Sequence, residues 1–359
     1  MFYLTKQATE ELVHLHFNGL EVDGVGYELE TPKVVWERYQ PPHDYSMDYL
    51  TFVSKQDGTT FKFSATTSSN TLQYSLDNGS TWNVLENDTN SPAIASGGTI
   101  MFKGSDLTVN SGIGNFSSNG LFEVQGNIMS LWYGDDFRDQ TSLSANHFNN
   151  LFSACTGLTT AEDFILPATQ IGNWCYSGMF RGCTNLTTAP SVLPASLILT
   201  STYCYANMFL GCTSLTTAPE LPSTALADNC YYSMFLGCTS LTTAPELPAT
   251  TLKNNCYSSM FADCTSLTTA PELRAPSLKT YCYQTMFSGC TSLNYVKCLA
   301  RAGMTSNSCL FRWLYNVSST GTFVKSPNAT TGSTAGASQW AYPSINGIPD
   351  GWTVVDATD

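Results

Sequence analysis

Residues 230–248 read CYYSMFLGCTSLTTAPELP, and this stretch decides the fold. Near-copies flank it: CYANMFLGCTSLTTAPELP from Cys204, CYSSMFADCTSLTTAPELR from Cys256 and CYQTMFSGCTSLNYVKCLA from Cys282. The leading cysteines at 204, 230, 256 and 282 set a period of 26 residues. Self-similarity at such a period is the mark of a solenoid, and 26 lies in the range of leucine-rich repeats. A less regular copy, CYSGMFRGCTNLTTAPSVLP, starts at Cys175, and FNNLFSACTGLTTAEDFILP at Phe148 lacks the leading cysteine. Degenerate end copies are expected where a solenoid is capped.

Each copy has two parts. At 100° per residue, Cys230, Tyr231, Met234, Phe235 and Cys238 share one arc, which predicts a short amphipathic helix. In TSLTTAPELP, Leu241, Ala244 and Leu247 occupy inward positions, Thr242 and Thr243 suit a short strand, and Pro245 ends the pairing. The repeat core is therefore Cys204, Met208, Phe209, Cys212 and Leu215; Cys230, Met234, Phe235, Cys238 and Leu241; Cys256, Met260, Phe261, Cys264 and Leu267; and Cys282, Met286, Phe287, Cys290 and Leu293. Cys230 and Cys238 would lie about 12 Å apart along a helix, too far for a disulfide, and the spacing does not suit zinc. The thirteen cysteines read as small core hydrophobes.

The copies resemble the BspA-like class of leucine-rich repeats, and the variant MF-x-G-C-T-S-L-T-T-A-P-E-L-P resembles repeats of proteins from gut Bacteroides and their phages and prophages. The tail from Thr320, TGTFVKSPNAT followed by GIPDGWTVVDATD, and the phrases YSLDNGSTW and GNIMSLWYGDDF resemble segments of the same group. The resemblance implies a multidomain, β-rich chain: an N-terminal anchor and linker (1–47), a β-sandwich-like domain (48–137), leucine-rich repeats with short helices and short parallel strands (138–300), and a C-terminal cap (301–359). In the 1–47 segment, Val13, Leu15 and Phe17 precede an Asn18-Gly19 turn and suggest a hairpin. Asp-Asn-Gly at 77–79, between LQYSL and TWNVL, is a second hairpin signal.

The resemblance also implies a virion protein of a gut-bacterial phage, on tail or capsid. It would dock on other virion proteins through its N-terminus and display the solenoid for adhesion or host recognition, with a surface glycan or protein as receptor. A homo-oligomer or larger assembly is expected. A bacterial cell-surface adhesin and a purely structural decoration or collar protein are the competing readings.

Composition narrows the classes. Only 12% of residues are charged, about half the usual share. The net charge of −13 repels phosphate backbones, so no nucleic-acid partner is expected. MFYLTKQATEELVHLHF at the start lacks the pattern of a secretory signal, and no apolar run is long enough for a membrane helix. No nucleophile elbow, phosphate loop or HExxH motif occurs. His14 with His16, and Asp135, Asp136 and Asp139, read as exposed strand and turn positions rather than sites. No cofactor, metal or catalysis is expected.

Two columns are candidate binding surfaces. Glu220, Glu246 and Glu272 recur in step and would form an acidic ladder open to a hard cation or a basic partner, or splaying into water. Tyr205, Tyr231, Tyr257 and Tyr283, with Tyr176 before them, could grip sugars or proteins, although their angle within the apolar arc favours burial.

Overall fold

The computed structural model describes residues 13–14, 37–38, 43–65, 71–105, 114–194, 201–304, 308–327 and 347–358. It divides into two units, Met1–Asp44 and Tyr45–Asp359. In the first, β1 (Val13–His14) pairs antiparallel with β2 (Glu37–Arg38). The expected turn at Asn18-Gly19, with Leu15 and Phe17, lies outside the described residues.

The second unit begins with β3 (Leu50–Ser54), β4 (Phe61–Ala65), β5 (Thr71–Ser75), β6 (Asn83–Leu85), β7 (Thr99–Ser105), β8 (Gly114–Ser118) and β9 (Phe122–Asn127). Strand β3 lies between β7 and β9, and β5 lies between β7 and β6, all antiparallel. The β4–β8 pair forms a separate ladder. Alternation explains the layering: Phe61 and Phe63 are buried while Lys62 between them is half-buried. Phe52 of β3 holds the two ladders together, with ring centroids 4.8–5.0 Å from Phe61, Phe102, Phe116 and Phe122. The expected hairpin joins β5 to β6, with Asn78 and Gly79 both left-handed. Asp77 accepts hydrogen bonds from the Thr81 amide (2.8 Å), the Thr81 hydroxyl (2.7 Å) and the Ser75 hydroxyl (2.8 Å), which hold its carboxyl down at about 2.

The solenoid grows directly from this sheet. Strands β10 (Ser142–Leu143), β11 (Leu158–Thr160), β12 (Phe164–Ile165) and β13 (Gln170–Ile171) follow a one-turn helix, Ser130–Tyr133. Both β11 and β12 pair in parallel with the free edge of β9. The first coil is thus laid on a sheet edge that would otherwise be open to aggregation. The expected boundary at 137 is therefore no break in packing: one hydrophobic core runs from Leu50 to Trp352. At the other end β14 (Tyr295–Cys298), β15 (Gly321–Lys325) and β16 (Trp352–Asp356) stack in parallel register. The segment expected to be a cap from 301 onward thus continues the solenoid.

The helical half of the expected repeat is absent. Cys230–Cys238 and its equivalents are rows of overlapping turns, and a β-solenoid replaces the α/β one. The hydrogen bonds show how. Within one row, Ala206, Met208, Leu210 and Cys212 donate their amides to the carbonyls of Tyr203, Tyr205, Asn207 and Phe209, three residues back, at 3.0–3.3 Å. The intervening amides of Tyr205, Asn207, Phe209 and Gly211 donate to Cys230, Tyr232, Met234 and Leu236 of the next coil at 2.8–3.0 Å. Every second amide therefore serves its own turn, and the others tie coil to coil. The run of peptide groups is satisfied without a helix.

The backbone pays for this with a left-handed residue every fourth position. Seven rows show it, beginning at Asn146, Trp174, Tyr203, Asn229, Asn255, Tyr281 and Ser308, so that successive coils are 28, 29, 26, 26, 26 and 27 residues apart. The third left-handed place holds Gly182, Gly211, Gly237 and Gly289 in four coils, and Ala154, Asp263 and Asn316 in the other three. A Cβ at Gly237 would meet nothing closer than Gly211 Cα at 3.8 Å, so conformation rather than space selects glycine. Gly237→Val should cost about 1–2 kcal/mol, whereas Gly237→Asn should be nearly neutral. Denaturant midpoints of the two variants check this, and equal loss in both would show that crowding decides.

The strand half is thin. Threonines pair in parallel bridges, Thr160 with Thr188, Thr188 with Thr217 and Thr217 with Thr243. The buried prolines at 190, 219, 245 and 271 interrupt the ladder, which resumes beyond them at Val192–Glu220 and Ala225–Thr251.

Candidate binding surface

Inside each coil the residue types follow from shape. Phe152, Phe180, Phe209, Phe235, Phe261 and Phe287 stack face to face at 5.3–5.7 Å with planes within 9°. The second cysteine of each row lies beside them. Its thiol donates to the phenylalanine carbonyl of the preceding coil: Cys212 to Phe180 at 3.0 Å, Cys238 to Phe209 at 3.1 Å, Cys264 to Phe235 at 3.1 Å and Cys290 to Phe261 at 2.9 Å. That carbonyl already accepts the amide three residues on, so the thiol fills its second lone pair. Cysteine fits because it is small and apolar yet keeps a weak donor. All thirteen cysteines are buried thiols outside any disulfide. Burial pushes Cys155 and Cys175 up to about 11, and Cys238, Cys256, Cys290 and Cys298 up to about 12. These thiols are structural and inert.

The tyrosine column is internal. Tyr176, Tyr205, Tyr231, Tyr257 and Tyr283 are buried and stack on one another at 5.7–6.2 Å. Their place as a binding surface is thereby corrected. They meet each other's faces, and the Tyr205 hydroxyl donates to the Pro194 carbonyl at 3.1 Å. The repeat core residues named from the sequence are all fully buried.

The acidic column is outside, but it is not a bare ladder. Glu246 and Glu272 flank Arg274, whose guanidinium lies 3.1 Å from the first and 3.4 Å from the second. Lys297 takes the next place in the column and meets Glu272 at 2.8 Å. The hydrogen bond from Lys297, with Arg274 beside it, holds the Glu272 carboxyl below its usual range. Arg274 stands where the two preceding copies carry proline, Pro222 and Pro248. Among the described residues no group of three or more His, Cys, Asp or Glu side chains is placed to hold a metal ion. Beside the glutamates run columns of hydroxyls. Thr213, Thr239 and Thr265 donate to the threonine carbonyl of the preceding coil at 3.3–3.4 Å. Thr216, Thr242 and Thr268, and the threonines after them, are exposed.

The other residues singled out from the sequence lie apart. Asp135 accepts hydrogen bonds from Lys103 at 2.8 Å and from the Tyr49 hydroxyl at 2.7 Å, and these hold its carboxyl below the usual range. It ties the short helical segment to β7 and to the start of β3. Asp136 and Asp139 are exposed. His147 is buried against the Trp132 ring at 3.8 Å, with Nδ1 2.8 Å from the Ser144 carbonyl, and burial lowers its pKa. His16 lies outside the described residues.

Exposed aromatic side chains were not anticipated. Trp174 and Tyr281 are exposed and Tyr203 half-exposed at the head of their turn rows, and Tyr232 is exposed three residues after the head of its own row. No family model, curated protein or solved structure matches this chain. The outward face thus carries columns of threonine hydroxyls and glutamate carboxylates, with aromatic side chains at Trp174, Tyr203, Tyr232 and Tyr281.

Proposed function

We propose that this chain is a virion-associated binding protein of a bacteriophage of gut Bacteroides, carried on tail or capsid, that displays its solenoid for adhesion or host recognition. The observation that supports it most is the stack itself. A continuous interior of aromatic and thiol columns fixes outward groups in register from coil to coil, as solenoid binding surfaces require. In this reading residues 1–47 dock on other virion proteins, and the N-terminal sheet carries the load into the first coil through β9. The same surface would serve a bacterial cell-surface adhesin. With no receptor it would be a decoration or collar protein.

Antibody labelling and mass spectrometry of purified particles, beside fractionated host cells, test the proposal. The expected result is signal on the particles and loss of particle association when residues 1–44 are deleted. Signal confined to the host envelope would move the protein to the adhesin reading. Particle labelling without any binding to host cells would leave a structural component.

A further inference from the structure

Twelve of the thirteen cysteines stand in two columns. One column follows the row heads: Cys175, Cys204, Cys230, Cys256, Cys282 and Cys309. The other runs eight places further on: Cys155, Cys183, Cys212, Cys238, Cys264 and Cys290. On the regular rows the inward tyrosine, methionine and phenylalanine columns lie between the two. Each cysteine column stacks on itself. The thiols of Cys183, Cys212, Cys238, Cys264 and Cys290 donate to phenylalanine carbonyls of the coil before at 2.9–3.1 Å. Burial raises the pKa of Cys212, Cys230 and Cys264, and the thiols that add to the effect belong to the same column: Cys183 and Cys238 for the first, Cys204 and Cys256 for the second, Cys238 and Cys290 for the third. The neighbours of a stacked thiol are thus its equivalents one coil away, 26–29 residues along the chain.

The unfolded chain offers nearer partners. Five rows carry two cysteines eight residues apart, Cys204 with Cys212 and Cys230 with Cys238 among them. Loop closure scales as the −3/2 power of length, so such a pair meets about six times more readily than one 26 apart. A disulfide draws its Cα atoms to about 4.4–6.8 Å. Within a row that pulls one cysteine column onto the other across the tyrosine, methionine and phenylalanine places. Those rings then lose their stacks, and the row no longer meets the next coil. The bridge that forms first in the unfolded chain is therefore one that the fold excludes.

We propose that assembly of the solenoid is gated by redox state: it stacks only from a chain whose thiols are reduced, and once stacked it keeps them from oxidants. In the trapping reaction two thiols of one row form one disulfide. Their two protons and two electrons pass to a small-molecule disulfide, which leaves as two thiols. The gate suits a protein that folds in a reducing cytoplasm before it meets an oxidising exterior, whatever its receptor, and it does not rest on the adhesion reading.

The test is cell-free synthesis of the full chain in a reducing mixture or with glutathione disulfide added, scored as the soluble share of the chain made. The reducing mixture should yield a cooperative melt and thirteen thiols that a thiol reagent reaches only after denaturation. Glutathione disulfide during synthesis should cut the soluble share by about tenfold or more, with bridges eight residues apart in peptide maps. The same disulfide added after folding should leave the melt and the thiols unchanged. Equal soluble shares in both mixtures, or poor yield in both, overturn the gate. Trapping without bridges inside rows overturns its mechanism, and thiols lost from the folded chain overturn the protection.

Discussion

Raising the pH above about 8.5, the ordinary range of a free thiol, should unfold this protein steeply. Folding holds its thiols neutral, at about 11 for Cys155 and Cys175 and about 12 for Cys238, Cys256, Cys290 and Cys298. The unfolded chain releases those protons first. Between the unfolded and folded values the native state therefore binds more protons, and stability falls with rising pH. The stabilising contribution is complete below the unfolded value and is lost as pH climbs through the folded ones. Each thiol contributes a slope approaching about 1.4 kcal/mol per pH unit. The tyrosine column acts in the same direction, since burial raises Tyr205, Tyr231, Tyr257 and Tyr283 well above their usual value. Denaturant midpoints at pH 7, 8, 9 and 10 should drop progressively faster. At pH 8 a thiol reagent should react only as the chain unfolds. Rapid native-state labelling of several cysteines would show that the coils open far more readily than their packing implies.

Removing one whole coil should leave a folded protein, whereas removing half a coil should not. Deleting residues 230–255 joins Asn229 to Cys256, so a left-handed asparagine still precedes a leading cysteine. Tyr205 then donates to Cys256 instead of Cys230, and the phenylalanine and thiol columns close over the gap. In a stack where each coil meets only its neighbours, the loss is one coil and one interface. The melting temperature should fall by a few degrees at most. Deleting residues 230–242 instead sets a strand half against a turn row. The inward cysteines and phenylalanines on either side of the junction lose their partners, each such loss costing about 3–5 kcal/mol for a phenylalanine. That variant should be insoluble or lack a cooperative transition. Circular dichroism melts of both deletions decide the matter, and two equally folded variants would contradict stacking in register.

The stack, its period and its core were legible in the sequence because the repeat is nearly exact. The helix was not refuted there for a physical reason. Inward residues at Cys230, Tyr231, Met234, Phe235 and Cys238 fit 3.6 residues per turn, and over nine positions they fit a period of four equally well. The signal that separates the two is the spacing of Asn207 with Gly211, Ser233 with Gly237 and Ser259 with Asp263, four apart and all left-handed. Small or amide residues at that interval oppose a helix. The tyrosines suit both core and surface because an arc edge does not tell inside from outside. Only the stacked rings do. The last coil escaped because CLFRWLYN from Cys309 puts Leu310 and Leu314 in the tyrosine and phenylalanine places and Trp313 in the methionine place, where it packs at 6.5 Å against Tyr283. Strand β8, GNFSS, is too short and too polar to stand out. The pairing of β9 with the first coil joins residues far apart in the chain, which no local pattern encodes.

Far-UV circular dichroism of the intact protein tests the coil geometry most directly. Turn rows bound coil to coil predict a spectrum of β and turn type without the helical double minimum. A clear helical double minimum, of the size that one short helix per repeat would give, would contradict it and restore the α/β solenoid.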